Sequence, residues 1–480
     1  MAALEEMHIP FESSRKKSRV ISILASSLTV GEGKLTRVVV VGGSAAGMAA
    51  AAKAKRVNES LEVVVFERSR YVSYAPCGVP YYIEGLVKSL DSLVYYPAEY
   101  FRRKRNIDVR VRHEVLDVDP KAKRVIVKNL DEEKTFELKY DYLVLATGGK
   151  PSIPEKLNSN VKGVFTLRTL EDGEKIRIAS EKAKKIGIVG GGYVGLEIAE
   201  AFTMRSKKVL LFQRSYPMRR SIDLEVSKDI IEELHKHNVN LHLGESFKDV
   251  ESKDKALRII TDKDEYSVDI VVLAMGVRPN VDLAKRMGVE LGVTGAIKVN
   301  EKMETSVEDV YAAGDNVETL HLVSGKPVYL PFAPAANKMG RVAGDNIAGG
   351  NSRFKGVLGT TFTKIFSLHV GRTGLSAWEA EAAGFDVAAV DINHISRSHY
   401  FPEKEQMHIR LIADRESHRI LGGAITGREG VAGRVNTLAA ALWGGLTVED
   451  LTQLDLGYAP PFAPVWDGLT IAANVMKRNL

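Results

Sequence analysis

The chain contains one cysteine, Cys77, in the stretch Ser73-Tyr74-Ala75-Pro76-Cys77-Gly78-Val79-Pro80-Tyr81-Tyr82. A thiolate attacks sulfur and can carry a redox change, but a lone one has no partner within its own chain, so its oxidised form must involve an outside atom. An internal disulfide, a redox dithiol and a cysteine-rich metal site are excluded. Two glycine turns supply a second kind of chemistry: Gly42-Gly43-Ser44-Ala45-Ala46-Gly47 and Gly190-Gly191-Gly192-Tyr193-Val194-Gly195. Small residues at such turns let the backbone approach a pyrophosphate, and a following helix N-terminus offers amide donors and partial positive charge. Glu67, twenty-five residues after Gly42, suits a ribose diol. In the second unit Gln213 takes that place, Arg214 follows, and Arg219 and Arg220 are close by. Loss of the carboxylate removes repulsion against a 2′-phosphate and arginine can pair with one, which predicts that NADPH is accepted beside NADH.

The surrounding pattern positions these turns. Val38 to Val41 reads as a buried parallel strand, followed by an alanine-rich helix to about Arg56 and a second strand over Leu61 to Phe66 that ends at Glu67. The unit recurs with a strand at Lys185–Val189, a helix over Leu196–Met204 and a strand at Val209–Phe212. Two such units mean two dinucleotide sites. Further strand ends lie at Tyr142–Gly149, Val271–Asn280 and Tyr311–Asp315. After about residue 352 the pattern becomes α+β. Strands at His408–Ile412 and Ile420–Ile425 flank a polar turn, a helix runs through Leu438 to Trp443, and a capping-box-like start stands at Thr447–Asp450. The expected fold class is α/β, with two Rossmann-like dinucleotide-binding domains and a C-terminal α+β domain. The expected boundaries are an N-terminal extension at 1–36, a first domain at 37–150 completed by 276–351, a second at 151–275 and the C-terminal domain at 352–480. The extension reads as an ordinary tail or a start codon placed too early, although Arg15–Arg19 before an apolar run imitates a signal peptide.

The chain has 480 residues, 27% charged and 45% hydrophobic, with a net charge of +6. That excess is too thin to argue for nucleic acid but suits anionic small molecules. No run of about 18 apolar residues predicts a membrane span. Scarce Gln and Cys beside many Lys, Arg and Glu lean toward a heat-adapted protein. His235, His237 and His242 lie in a charged helix and following strand without a cysteine or clear carboxylate partner, so no metal is expected.

Taken together, the two dinucleotide units, the Ala146-Thr147-Gly148 strand end, Gly276-Val277-Arg278-Pro279-Asn280, Gly314-Asp315 and the lone cysteine in Ser-Tyr-Ala-x-Cys-Gly resemble the single-cysteine branch of the FAD-dependent pyridine nucleotide-disulfide oxidoreductases. Within it the nearest resemblance is to coenzyme A disulfide reductases, including archaeal ones that handle polysulfide or CoA persulfide. The resemblance covers residues 37–480. It implies FAD on the first site, NADH or NADPH on the second, and CoA disulfide, persulfide or polysulfide as substrate. It also implies a cytoplasmic homodimer or dimer of dimers.

Residue by residue, the resemblance assigns Gly42, Gly43, Ser44, Ala45, Ala46, Gly47, Glu67, Arg68, Val115, Ala146, Thr147, Gly148 and Asp315 to FAD. Gly190, Gly192, Gly195, Glu197, Gln213 and Arg214 fall to the nicotinamide dinucleotide. Lys53, Arg56, Ser73 and Arg105 fall where this branch binds CoA, whose phosphates suit cationic groups. Cys77 matches the redox cysteine beside the flavin, and a short helix behind it is expected to lower its pKa. Tyr400 and Tyr458 match tyrosines that the partner subunit brings near that cysteine. Ala45 departs from the peroxide-reducing and water-forming relatives, which carry histidine there, so an NAD(P)H oxidase or peroxidase using a sulfenic acid is the second reading. Ala49 and Pro76 also depart from the CoA pattern. A ferredoxin-type reductase needs no cysteine beside the flavin, and a redox-sensing binding protein would turn over slowly with every acceptor.

Overall fold

The computed structural model describes residues 35–154, 157, 161–253 and 256–480. The expected extension over 1–36 therefore lies outside the described residues, apart from its last two. From Thr36 onward the chain forms one compact unit.

The valine run Arg37–Val41 is the centre of a five-stranded parallel sheet. Its neighbours are Glu62–Glu67 and then Asp108–Val111 on one side, and Tyr142–Leu145 and then Val310–Ala312 on the other. Strands apolar on both sides belong in a sheet covered on both faces, and Val39 and Val40 are fully buried. The second parallel sheet repeats the plan around Lys185–Val189, with Lys208–Gln213 and Asn240–Leu243 on one side and Ile270–Leu273 and Val164–Thr166 on the other. Small antiparallel sheets at 113–139 and 247–268 flank the two. The C-terminal part is a five-stranded antiparallel sheet, ordered Thr361–Ile365, Leu368–Gly374, Ile420–Gly427, Gln406–Asp414, Val387–Ile395. Helices Val431–Gly444, Val448–Gln453 and Gly468–Met476 accompany that sheet. The fold class read from the sequence is thus the observed one. Thr447 caps its helix as expected, accepting from the Asp450 amide while Asp450 takes the Thr447 amide. Among the described residues no helix is long and apolar enough to cross a membrane.

Helix lengths exceed the expectations. The second dinucleotide helix begins at Tyr193 rather than Leu196, and the C-terminal helix at Val431 rather than near Leu438. In the first case the helix starts directly on Gly192, because a glycine N-cap needs no polar side chain to announce it.

The first dinucleotide helix, Ala45–Val57, is alanine-rich because helix Ala333–Ile347 crosses it at backbone contact. A Cβ on Gly340 would lie 2.2 Å from the Ala46 carbonyl oxygen, and one on Gly344 the same distance from that of Ala50.

A charge cluster built on the buried Arg410 and Asp223 joins helix Leu224–Lys236 to the C-terminal sheet. His408 sits between Asp229 at 2.8 Å and Asp391 at 2.9 Å. Arg410 donates to Asp223 at 2.8 Å and also pairs with Asp391 and Glu225. Burial opposes the charge on His408, but the two carboxylates prevail and raise its pKa to about 9. A histidine raised on folding contributes stability that is complete below about 6.5 and is lost as pH climbs through about 9. Denaturant unfolding across that range should therefore show stability falling with pH by on the order of 2 kcal/mol, and His408→Gln should flatten the slope.

Candidate active site

The first cradle is built at the end of Arg37–Val41. Gly42 turns with φ +111°, and a Cβ on Gly47 would stand 1.8 Å from the Gly42 carbonyl oxygen. That approach leaves the first amides of helix Ala45–Val57 facing the crevice beyond the strand ends. Glu67 accepts from the Gly43 amide at 2.7 Å and, with its other oxygen, from Ser69 at 2.8 Å. A carboxylate fixed at the rim in this way keeps further lone pairs for a diol. Ser73 adopts φ +49° and donates its amide to the Gly43 carbonyl at 2.9 Å, which ties the Cys77 loop to the cradle.

The other side of the crevice closes through Thr147, Asn280, Asn316 and Asp315. Thr147 donates to the Asn280 carbonyl at 2.6 Å, and Asn316 donates to the Leu145 carbonyl at 2.9 Å. Gly314, with φ +95°, lies against helix Ala45–Val57, since a Cβ there would stand 2.8 Å from the Ala46 methyl, and Asp315 follows it. Asp315 forms an ion pair with Arg168, and its backbone carbonyl accepts from Tyr329 at 2.9 Å. Val115 lies buried on the strand His113–Asp119, while Arg68 is exposed beside Glu67.

The second cradle repeats the geometry. Gly190 turns with φ +108°, and a Cβ on Gly195 would lie 1.8 Å from its carbonyl oxygen. A Cβ on Gly192 would meet nothing within 4 Å and would project into open space. Gln213 accepts from the Gly191 amide at 2.9 Å, as Glu67 does from Gly43. The second turn thus leaves open space beside Gly192 where a pyrophosphate would sit, and the two glycine turns, each leading into a helix N-terminus, fit FAD and a nicotinamide dinucleotide.

Cys77 lies in the single turn Pro76–Gly78 that leads into helix Val79–Glu84, and it is an exposed free thiol. Burial of its inner side pushes the thiol pKa up, and the Glu197 and Asp315 carboxylates add to the rise. Arg168 and a backbone hydrogen bond pull it back without prevailing. The expected lowering by helix-end amides is therefore overturned by desolvation and the two nearby carboxylates. Glu197, on helix Tyr193–Met204, is itself raised to about 7 by burial, with the Thr363 hydroxyl at 3.3 Å opposing the rise and Glu200 reinforcing it.

The expected CoA residues divide. Lys53 pairs with Asp345 at 2.9 Å. Arg56 is exposed and makes no ion pair among the described residues. Arg105, also exposed, donates to the Tyr100 hydroxyl at 3.4 Å and lies 5.8 Å from that ring's centroid. Ser73 belongs to the Cys77 loop. Tyr400 and Tyr458 share a hydrogen bond of 3.2 Å on an exposed face. The sequence reading missed Arg168, Thr363, Asn280, Asn316 and Tyr329. The cap pair Thr169 and Asp172 marks the helix after Arg168, but nothing local marks the arginine itself.

Two dinucleotide cradles and a lone cysteine on the loop tied to the first of them define a two-nucleotide thiol oxidoreductase. Residues 36–340 match the family model described as pyridine nucleotide-disulphide oxidoreductase, and 360–468 match that family's dimerisation domain. The chain belongs to this family. It is 46% identical over 451 residues to the NAD(P)H coenzyme A polysulfide/persulfide reductase of Pyrococcus horikoshii, which covers 93% of this chain and 100% of the relative. It is 29% identical over 432 residues to the coenzyme A disulfide reductase of Staphylococcus epidermidis, across 89% and 97% of the two chains. Among solved structures it resembles an engineered water-forming NADPH oxidase bound to NADPH, a mutant of LbNOX, with a TM-score of 0.89 and 29% identity over 92% of this chain and 99% of that one.

The electrostatics around the thiol give a test. Glu197→Gln removes a carboxylate that disfavours the thiolate, so iodoacetamide alkylation of Cys77 should become several-fold faster at neutral pH, its midpoint moving to lower pH. An unchanged alkylation profile would show that Glu197 does not control the thiol.

Proposed function

We propose that this chain passes electrons from NADH or NADPH, through FAD and Cys77, to coenzyme A disulfide, and also to CoA persulfide or polysulfide. The observation that carries the reading is the placement of the sole cysteine. Its loop is tied to the first cradle through Ser73, the charges of Glu197, Arg168 and Asp315 act on its thiol, and the chain holds no second cysteine. The relatives named for CoA disulfide and CoA polysulfide/persulfide reduction support the same acceptors.

The sulfur steps balance around Cys77. Its thiolate attacks one sulfur of CoA disulfide, the S–S bond breaks, a Cys77–S–S–CoA mixed disulfide forms and one CoA thiolate leaves to take a proton. Two electrons then cleave the mixed disulfide, releasing the second CoA thiolate and restoring the Cys77 thiolate. With CoA persulfide, attack on the sulfane sulfur releases CoA thiolate, and two electrons then release sulfide from Cys77. The chemistry FAD supplies when bound is the relay of those two electrons from the nicotinamide. Gly42 to Gly47, Glu67, Thr147 and Asp315 would hold it. Glu197, with a pKa near neutrality, repels the Cys77 thiolate when ionised and ceases to when protonated. Arg168 favours the thiolate throughout.

The reading includes domains at 37–150, 151–275, 276–351 and 352–480, and a cytoplasmic homodimer or dimer of dimers in which a second copy carries its Tyr400–Tyr458 pair toward Cys77. Arg56, Arg105 and Ser73 serve the CoA phosphates, whereas Lys53 must first release Asp345.

Anaerobic NAD(P)H oxidation with CoA disulfide as sole acceptor tests the function. Wild type should turn over rapidly, and Cys77→Ser should fall to background while still binding FAD. Retained turnover in that variant would overturn the mechanism, and brisk oxidation by wild type only in air would favour an oxidase.

A further inference from the structure

Cys77 sits at the head of a helix too short to hold itself. The turn Pro76–Gly78 runs into Val79–Glu84, which has six residues. That is less than two turns, and a helix of this length does not persist unaided. Its inner face, made by Val79, Pro80 and Ile83, is buried. Val79 meets helix Leu170–Ser180 at a glycine, where a Cβ on Gly173 would stand 2.2 Å from the Val79 Cγ1.

The last carbonyls of a helix lack partners within it. Tyr81 accepts from the amide of Gly85, which leaves the helix at φ +104°, at 3.0 Å, and from that of Val87 at 3.1 Å. The next two carbonyls accept from side chains of other elements. Arg177 donates to the Tyr82 carbonyl at 2.6 Å, and its guanidinium lies 4.4 Å from the Tyr82 ring centroid. Arg205 donates to the Ile83 carbonyl at 3.1 Å. The same nitrogen of Arg205 donates to the Ser180 hydroxyl at 2.8 Å, and that buried hydroxyl donates to the Arg177 carbonyl at 2.7 Å. The two arginines are thus joined through Ser180 into one brace. Among the described residues neither pairs with a carboxylate, so both charges are turned to the negative end of the helix. Arg205 directly follows helix Tyr193–Met204, which starts on the second cradle. Arg177 lies on helix Leu170–Ser180, which starts just after Arg168, the partner of Asp315. The second dinucleotide unit therefore grips the far end of a helix whose near end carries the thiol of the first.

We propose that Arg177 and Arg205 are positioning residues for Cys77: by holding the C-terminal carbonyls of helix Val79–Glu84 they fix the place of the sulfur during turnover. The inference rests on the reading that the thiol carries electrons to the acceptor. Neither arginine acts at the sulfur itself, because the carbonyls they hold belong to residues five and six positions beyond Cys77. They act through the helix, and its displacement would move the thiol while leaving both cradles in place. A misplacement of about 1 Å is enough to cost a reaction some hundred-fold in rate.

Arg177→Gln, Arg205→Gln and Gly173→Ala, compared with wild type as FAD-loaded protein, test this. Gly173→Ala alters no charge and sets a methyl against Val79. Hydrogen–deuterium exchange over residues 79–87 should quicken about ten-fold or more in the arginine variants, while helix Ala45–Val57 exchanges as in wild type. Ferricyanide takes electrons from the flavin without the thiol, so NAD(P)H oxidation by ferricyanide should stay within about two-fold of wild type in all three variants. With CoA disulfide, kcat should fall about ten-fold or more, and KM for the nicotinamide nucleotide should not change. Arg177→Lys keeps a donor and a cation over the Tyr82 ring and should recover most of the loss. Equal loss with both acceptors, or full CoA disulfide turnover in all three variants, would overturn the proposal. A wild type that fails to reduce CoA disulfide would instead remove the sulfur-acceptor reading. The brace is then decided by exchange over 79–87 and by the rate of Cys77 alkylation with iodoacetamide, and wild-type values of both in the arginine variants would overturn it.

Discussion

Backbone lying on backbone is the constraint from which the rest of the structure follows. Gly47 and Gly195 each bring a helix's first turn to a distance at which a Cβ would sit 1.8 Å from the carbonyl oxygen of the preceding glycine turn. Only glycine tolerates that, and the gain is a set of unpaired amides aimed at one point beyond the strand ends. Strand-end residues Glu67 and Gln213 then fix the orientation of each turn through one amide hydrogen bond. The same logic reaches further in the first unit. Ala46 and Ala50 are small so that helix Ala333–Ile347 can cross at contact, and Gly314, just before Asp315, can pack on the Ala46 methyl. An alanine-rich helix that reads as a filler element is in fact what lets a distant carboxylate enter the site.

The thiol occupies a place where charge is rationed. Burial and two carboxylates favour the neutral form of Cys77, and a single guanidinium, Arg168, opposes them while also pairing with Asp315. A thiol so placed is not permanently reactive. Glu197 changes charge near pH 7, so its protonation removes one source of repulsion without any movement of the chain. Because the nucleophilicity of a thiolate falls with its pKa, a raised thiol yields a stronger nucleophile in its ionised fraction. The site exchanges abundance of thiolate for reactivity toward sulfur.

What the sequence revealed and what it hid divide along the range of the interaction. Valine runs, glycine turns and the strand-end acid are local patterns with a single physical reading, and both parallel sheets were legible from them. The capping box at Thr447 was legible for the same reason. The Arg168–Asp315 pair joins residues 147 positions apart, and nothing adjacent to Arg168 distinguishes it from a solvated arginine. The thiol's direction of shift was misjudged because helix-end amides are visible in the sequence, whereas Glu197 arrives from another element. The partner of Lys53, Asp345, is equally hidden in the sequence, because it sits on the crossing helix Ala333–Ile347 almost 300 residues on.

The C-terminal sheet helps set the chemistry as well as any partner contact. Tyr193, Glu197 and Glu200 fall at helical spacing on one face of their helix, and the strand Thr361–Ile365 answers each of them. Tyr193 shares a hydrogen bond of 2.5 Å with Thr361, Thr363 donates to Glu197, and Lys364 pairs with Glu200. Farther across the same sheet, Arg410, His408, Asp223, Asp229 and Asp391 lock it to helix Leu224–Lys236. Of these, the Arg410–Asp223 pair is buried, and such a pair adds little net stability when intact, whereas losing one partner costs about 3–5 kcal/mol. The pairs therefore act as a register device: a displaced sheet would break several at once. Thr363 is the contact that opposes the rise of the Glu197 pKa, and Lys364 holds the neighbouring Glu200, so the protonation of Glu197 depends on a clamp made by residues of the C-terminal sheet.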